Sequence, residues 1–305
     1  MSLRKCLLLG FVALLALVVG AGQGVAQESE SKPLIVASTT QVADFARQIV
    51  GDRWEVVSIL APGTDPHVYE IEPTDTRLVA RADLCLENGW HLEGKDWMKT
   101  LASNAGKKLI TCVEGVEPIE LADSGQTFED PHAWFSPRNA AIYVRNILRA
   151  VIEADPAHET EYRARADLYL SQLRTLHLWA QNELNAIPAD KRILVTSHDA
   201  FNYFCREYGF KSAAPAGWST SDEIGAGVTT ERRLLAVDSI RKFGVKAIFV
   251  ETSVNPAMIR EIAKDAGVKI GGQLYSDSMG APGTAGETYL GMLRENILTI
   301  VHALK

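Results

Sequence analysis

The sequence predicts an α/β protein built from two lobes, each a parallel sheet flanked by helices, which one long helix joins. From residue 33 onward, short apolar runs alternate with amphipathic stretches, an order typical of parallel sheets covered by helices. This alternation is interrupted by a long helical stretch and then starts again. We therefore expect an N-terminal lobe over 33–154, a bridging helix over 155–187 and a C-terminal lobe over 188–305. A single large α/β domain is the alternative, and the unbroken helix between the halves counts against it.

In the first lobe, strands and helices are predicted to follow one another in strict alternation. Predicted strands cover 34–37, 55–60, 84–86 and 108–112. Predicted helices cover 41–50, 73–81, 93–102 and 137–153. The last helix has the clearest start, because Ser136 supplies an N-cap residue and Pro137 occupies the first helical position. The polar stretch 114–129 has no predicted element.

The bridging helix and the second lobe follow from the same signals. Asp155 and Pro156 begin a stretch rich in Ala, Leu, Arg and Glu that reaches Asn185 without an internal Gly or Pro, and Pro188 ends it. Predicted strands then cover 193–196, 247–251 and 269–274. Predicted helices cover 200–208, 232–243, 257–266 and 288–304.

The first residues predict export from the cytoplasm. A short basic region precedes an apolar run from Leu7 to Val19, and small residues follow up to Ala26. This pattern indicates a cleaved secretory signal peptide over residues 1–26, because the apolar run is too short for a membrane span. Cys6 lies before the apolar run, so we expect no lipid-anchor cysteine. The expected location is the periplasm, or an equivalent extracytoplasmic space.

Charge excludes one large class of partner. The signal peptide contains two of the 31 basic residues and none of the 38 acidic ones, so its removal changes the net charge from −7 to −9. Because no Lys/Arg-rich run follows, nucleic-acid binding is not expected. We expect a monomer.

Three cysteines remain after removal of the signal peptide. An odd number in an exported protein leaves at least one free thiol. Cys85 and Cys112 lie in apolar strand-like segments and Cys205 in a predicted helix, which favours buried thiols. A Cys85–Cys112 disulfide is the alternative if their strands are neighbours. None has the Cys-x-x-Cys spacing of a metal site.

Four residues are candidate metal ligands. The tripeptide Asp-Pro-His occurs twice and ends in His67 and His132, and proline gives each loop a restricted direction. His67, His198 and Asp277 follow predicted strands, and His132 precedes a helix. Since ligands of open α/β sheets collect outside the carboxyl ends of the strands, we expect the four to meet in the cleft between the lobes.

Three imidazoles and one carboxylate suit a single Zn²⁺ or Mn²⁺ ion per chain. The ligands must be deprotonated, so binding should weaken as the pH falls. A structural histidine or a turn-forming aspartate is the alternative at each position. Asp65 and Asp130 are interpreted as turn formers or as contacts of the ligand histidines, and Glu251 as an acid outside the ligand set.

Several segments resemble one known family in order along the mature chain. They are the two Asp-Pro-His motifs, His198–Phe201, Phe249–Ser253, Tyr275–Asp277 and Thr288–Met292. These segments look like the zinc- and manganese-binding solute receptors of bacterial ABC importers. The resemblance implies two lobes bridged by a long helix, with His67, His132, His198 and Asp277 as metal ligands. It also implies delivery of the ion to a membrane permease driven by an ATPase.

Two departures from the family pattern leave the metal open. Zinc-specific members often carry a His-rich loop near the second ligand, and the stretch 114–129 contains no His. Many manganese members have Glu at the third ligand position, where this chain has His198.

A metal-binding receptor without enzymatic activity is therefore the leading hypothesis. The alternative is a secreted metallohydrolase that uses the same His/Asp site. Four protein ligands leave little room for an activated water, and no His-Glu-x-x-His or Gly-x-Ser-x-Gly motif is present. An adhesion module with the same fold is a third possibility, which no repeat or anchor in the sequence supports.

Overall fold

The first half of the chain is organised around a four-stranded parallel sheet. The computed structural model describes residues 32–123, 126–212 and 230–305, so the predicted signal peptide lies outside the described residues. The strands are β1 (Leu34–Ala37), β2 (Glu55–Ser58), β3 (Leu84–Glu87) and β4 (Leu109–Thr111). They lie in the order β2-β1-β3-β4. All four residues of β1 are buried, as expected for an apolar central strand with both faces covered.

Four helices accompany these strands. They are α1 (Thr40–Val50), α2 (Pro73–Arg81), α3 (Trp97–Asn104) and α4 (Pro137–Ala154). Three of them match the predicted helices closely, whereas α3 begins four residues later than predicted. The reason is local, because Lys95 and Asp96 have left-handed φ values of 59° and 53°. A regular right-handed helix therefore begins only at Trp97.

The polar stretch 114–129 contains a hairpin that the sequence did not predict. Strands β5 (Glu120–Asp123) and β6 (Gln126–Glu129) pair in antiparallel fashion. The stretch lacks the apolar run that marks a buried strand, which is why the sequence pattern missed it. The hairpin leads directly into Asp130, whose N–H donates to the carbonyl of Ile119 at 2.8 Å.

The predicted long helix is present as α5 (Glu159–Leu184). It packs against α1 and α4. Its buried residues recur every three or four positions, for example Tyr162, Ala166, Tyr169 and Leu173, so one face of the helix enters the core. Residues 32–305 form one compact unit by their contacts, and the division at 154 and 188 remains a prediction.

The second half again contains parallel strand pairs and helices. The strands are β7 (Ile193–Leu194), β8 (Lys211–Ser212), β9 (Ala247–Glu251) and β10 (Lys269–Leu274). Strand β7 pairs with β8, and β9 pairs with β10. The helices are α6 (Asn202–Tyr208), α7 (Thr230–Lys242), α8 (Ala257–Ala266) and α9 (Tyr289–Leu304), of which α9 packs against α5.

Strand β7 is shorter than the predicted run 193–196. The hydroxyl of Thr196 donates to the carbonyl of His198 at 2.7 Å. This local hydrogen bond occupies the carbonyl of His198 with a side chain instead of a neighbouring strand, so the strand ends and the chain turns there. The N–H of Phe249 on β9 donates to the carbonyl of Val195 at 2.9 Å, so the segment after β7 still lies beside β9.

The three cysteines of the described chain are buried free thiols, as the sequence favoured. Cys85 on β3 pairs in register with Leu109 on β4, and Cys112 lies three residues further along. Three residues of strand correspond to about 10 Å, which is beyond the reach of a disulfide. The alternative Cys85–Cys112 bridge is therefore absent for a geometric reason.

None of the described helices combines the length and apolarity that crossing a membrane requires.

Candidate metal centre

The two Asp-Pro-His segments form the same local turn. In the first, Oδ1 of Asp65 accepts a hydrogen bond from the N–H of His67 at 2.8 Å. In the second, Oδ1 of Asp130 accepts one from the N–H of His132 at 2.9 Å. An aspartate that bonds the backbone two residues onward closes a tight turn, which proline stiffens further. Both aspartates therefore form turns, and Asp130 also contacts the ring of its histidine, so both interpretations hold for Asp130.

All four predicted ligand residues meet in one place. His198 follows β7 by four residues, and Asp277 follows β10 by three. The side chains of His67, His132, His198 and Asp277 are at most 5% exposed. One donor atom from each residue lies within 4.8 Å of the donor atoms of the others. Residues that are up to 210 positions apart thus form a single buried cluster.

Four separations between donor atoms have the length expected in a metal coordination shell. Nε2 of His132 lies 3.3 Å from Nε2 of His67 and 3.4 Å from Nε2 of His198. Oδ1 of Asp277 lies 3.3 Å from Nε2 of His132, and Oδ2 lies 3.3 Å from Nε2 of His198. Tetrahedral ligands at about 2.1 Å from a metal are about 3.4 Å apart. The observed spacing therefore fits a first-row divalent cation. Because each carboxylate oxygen of Asp277 faces a different imidazole, a fifth donor is available.

Two buried carboxylates orient two of the imidazoles. Nδ1 of His132 lies 2.8 Å from Oδ1 of Asp130, and Nδ1 of His198 lies 2.7 Å from Oε2 of Glu251. Glu251 also accepts a hydrogen bond from the N–H of His198 at 3.0 Å. A carboxylate at Nδ1 favours the tautomer whose Nε2 is free to bind a metal. Asn202 on α6 holds the second oxygen of Asp130 at 3.0 Å.

Further residues position the aspartate, and sequence reasoning missed them. The hydroxyl of Ser253 lies 3.2 Å from Oδ2 of Asp277 and accepts a hydrogen bond from the N–H of Asp277 at 3.2 Å. The amide of Gln41 on α1 donates to the carbonyl of Ser276 at 3.1 Å. These contacts join residues far apart in the chain. A serine shortly after β9 is the only sequence signal that they left.

Carboxylates dominate the electrostatics of two imidazoles. Burial lowers the pKa of His132, but Asp130 and Asp277 outweigh burial and raise it to about 10. Burial likewise lowers the pKa of His198, but Glu251 and Asp277 raise it well above its ordinary value. Without a cation, both rings are therefore protonated on both nitrogens and positively charged at neutral pH. A metal ion that binds there must displace these protons.

The third imidazole behaves in the opposite way. Burial lowers the pKa of His67 to about 3, so this ring is neutral and its lone pair is available at neutral pH. Burial raises the pKa of Asp277, but His198 and His132 outweigh it and lower this pKa well below the usual range. The cluster thus offers an ionised carboxylate, one neutral imidazole and two imidazoles that exchange a proton for a cation.

Comparison with known proteins identifies relatives along almost the whole chain. The family model described as zinc-uptake complex component A, periplasmic, matches residues 35–303. The manganese-binding lipoprotein MntA of Bacillus subtilis is 40% identical over 298 residues, which cover 94% of this chain and 95% of that protein. The manganese ABC transporter substrate-binding lipoprotein PsaA of Streptococcus pneumoniae is 34% identical over 302 residues, with 96% of each chain covered.

Solved structures show the same architecture. The periplasmic zinc-binding protein TroA of Treponema pallidum superposes with a TM-score of 0.83 at 30% identity. The match covers 90% of this chain and 99% of that one. The Mn-bound periplasmic metal-binding protein of Candidatus Liberibacter asiaticus has a TM-score of 0.80 at 29% identity, and covers 90% of this chain and 100% of its own. The predicted fold class is confirmed.

One prediction about location is wrong. The relatives from Bacillus subtilis and Streptococcus pneumoniae are both named lipoproteins, which contradicts the expectation of an exported protein without a lipid anchor. That expectation depended on the absence of a cysteine near the predicted cleavage site and on the position of Cys6 before the apolar run. Residue order is weak evidence about a covalent modification, and the segment lies outside the described residues.

The relatives also decide between the function classes. MntA and TroA are named as metal-binding proteins and PsaA as the substrate-binding lipoprotein of a manganese ABC transporter, and none of these names describes an enzyme. The hydrolase alternative has no support from them. With residues 35–303 matched by the family model, this chain belongs to the family of the periplasmic zinc-uptake complex component A, the substrate-binding receptors of ABC metal importers.

Proposed function

We propose that His67, His132, His198 and Asp277 bind one divalent transition-metal ion, which the chain delivers to the membrane permease of its importer. The observation that supports this most strongly is that donor atoms of these four buried side chains lie within 4.8 Å of one another, with four of the separations at 3.3–3.4 Å. An ionised carboxylate buried among three imidazoles needs positive charge nearby, which a divalent cation supplies once it has displaced the protons of His132 and His198.

We propose that the ion is Mn²⁺ in the cell and that Zn²⁺ binds the same residues more tightly in vitro. Two relatives with 40% and 34% identity are named for manganese. A carboxylate that presents both oxygens to the cluster allows five donors, more than tetrahedral zinc requires. Three nitrogen donors nevertheless favour zinc in intrinsic affinity, so availability in the cell would decide which metal is loaded.

We propose that the receptor acts as a monomer with lobes over 33–154 and 188–305. Support comes from α5, which packs against α1 and α4 from the first half and against α9 from the second. A helix held on both sides limits the relative motion of the halves. Release of the ion to the permease then depends on local movement of the loops that carry the ligands.

Binding titrations of single-alanine variants test the ligand assignment. We expect His67→Ala and His198→Ala to weaken Mn²⁺ and Zn²⁺ binding by at least tenfold, because each removes one donor from the shell. His302→Ala is the matched control, since His302 is exposed on α9, and it should bind like the wild type. Affinity is measured by competition with a chelating dye, and circular dichroism checks the fold.

Two results would contradict the proposal. Unchanged affinity in both ligand variants would show that the cluster is not the metal site. Metal analysis of the receptor purified from its own host would contradict the choice of Mn²⁺ if zinc were found in stoichiometric amount with little manganese.

A further inference from the structure

His67 differs from the other two imidazoles of the cluster in what surrounds it. Asp130 contacts the ring of His132 and Glu251 contacts the ring of His198, each at 2.7–2.8 Å. Among the described residues, no carboxylate forms an ion pair with the ring of His67. The orientation of His67 must therefore come from the backbone of its loop and from whatever packs against that loop.

The side chain of Trp97 packs against the loop that carries His67. Trp97 is 3% exposed at the start of α3, and its indole Nε1 donates to the carbonyl of Pro66 at 3.0 Å. Its ring also makes an edge-to-face contact with Tyr69, with ring centroids 5.1 Å apart. The indole thus contacts Pro66 and Tyr69, which lie on either side of His67 in the chain.

The backbone of Gly94 packs directly against the backbone of His67. A Cβ atom built on Gly94 would lie 1.9 Å from the carbonyl oxygen of His67. No heavy atoms can approach so closely, so any side chain at this position would displace the backbone that carries the imidazole. Glycine is required here for the close approach of two chain segments rather than for a turn.

The segment that carries Gly94 is itself held in an unusual conformation. Four residues other than glycine have positive φ values between 50° and 61°, namely Trp90, His91, Lys95 and Asp96. Such conformations persist where the surroundings fix them. Here the buried carboxylate of Glu93 accepts hydrogen bonds from the hydroxyl of Ser38 at 2.6 Å and from the N–H of Asn88 at 2.7 Å. Glu93 therefore ties the segment that carries Gly94 to the residues that follow β1 and β3.

We propose that Trp97 and Gly94 are positioning residues for metal binding, which hold the backbone of His67 in place of the carboxylate that the other two imidazoles have. This inference depends on the proposed role of His67 as a ligand. Loss of the indole hydrogen bond frees the Pro66 carbonyl and lets the loop move, so the ion dissociates faster while the other three ligands keep their geometry.

The test compares two tryptophan-to-phenylalanine variants. Trp97→Phe removes the hydrogen bond to Pro66 and keeps an aromatic ring. Trp54→Phe is the matched control, because Trp54 is also buried, donates from Nε1 to Tyr162 at 3.0 Å and lies at the amino-terminal end of β2, away from the cluster. We expect similar losses of thermal stability. Only Trp97→Phe should weaken Mn²⁺ binding, by about threefold to tenfold and mainly through a faster dissociation rate.

A double-mutant cycle separates positioning from general destabilisation. In a His67→Ala background, Trp97→Phe should have no further effect on metal affinity, whereas in a His198→Ala background its effect should persist. Gly94→Ala, measured beside them, should weaken binding more than Trp97→Phe. Equal affinities of Trp97→Phe and Trp54→Phe, or an undiminished effect of Trp97→Phe without His67, would overturn the inference alone. Wild-type affinity in His67→Ala itself would overturn the ligand assignment as well.

Discussion

A Glu251→Gln substitution is expected to weaken metal binding although Glu251 is not among the proposed ligands. Its Oε2 lies 2.7 Å from Nδ1 of His198, and its Oε1 accepts a hydrogen bond from the N–H of His198 at 3.0 Å. Glutamine has nearly the same shape but one acceptor and one donor group. If its oxygen accepts from the backbone N–H, its NH₂ faces Nδ1 and favours the tautomer with hydrogen on Nε2. That hydrogen occupies the position that the metal needs.

The magnitude follows from the role of such contacts in metal sites. Loss of a carboxylate that orients a ligand histidine typically costs 10- to 100-fold in metal affinity. This range corresponds to about 1.4–2.7 kcal/mol. The buried position of Glu251, 1% exposed, favours the upper part of the range because little water screens the interaction.

The assay is competition for Mn²⁺ and Zn²⁺ with a chelating dye, with Glu153→Gln as the matched control. Glu153 pairs with Lys108 at 2.7 Å on the surface, where its side chain is 67% exposed. Its substitution should leave metal affinity unchanged. Equal affinities of Glu251→Gln and wild type, with the fold intact, would refute the argument that this carboxylate selects the tautomer of His198.

Two further predictions concern the same cluster. Metal binding at pH 7 should release about two protons, because His132 and His198 have raised pKa values without the cation and must be neutral when they bind it. The affinity for the metal should therefore rise about a hundredfold per pH unit near neutrality. Calorimetry in buffers of different ionisation enthalpy measures this number, and release of no protons would contradict the electrostatic account. Ser253→Ala should lower the affinity severalfold, since it removes the hydroxyl beside Asp277, and an unchanged dissociation constant would show that Ser253 has no positioning role.

The sequence predicted much of the fold because its signals are local. The N-cap position of Ser136 and the proline after it indicated the start of α4, and the absence of Gly and Pro indicated the length of α5. The errors arose where a contact or a strained backbone overrides a local signal. The hydroxyl of Ser136 donates to Glu207 at 2.8 Å instead of capping its own helix, a contact that no periodicity reveals.

The ligand residues themselves could be identified from the chain, since Asp-Pro-His motifs and polar residues after apolar strands are visible in the residue order. The strand-end rule also predicted that the four would meet, but not the distances between their donor atoms, because these depend on how the strand ends of both halves pack at one site. The partners that orient the ligands, such as Ser253 and Trp97, were equally hidden. A hydrogen bond between distant residues has no period and no motif, and only the packed tertiary structure determines which side chains it joins.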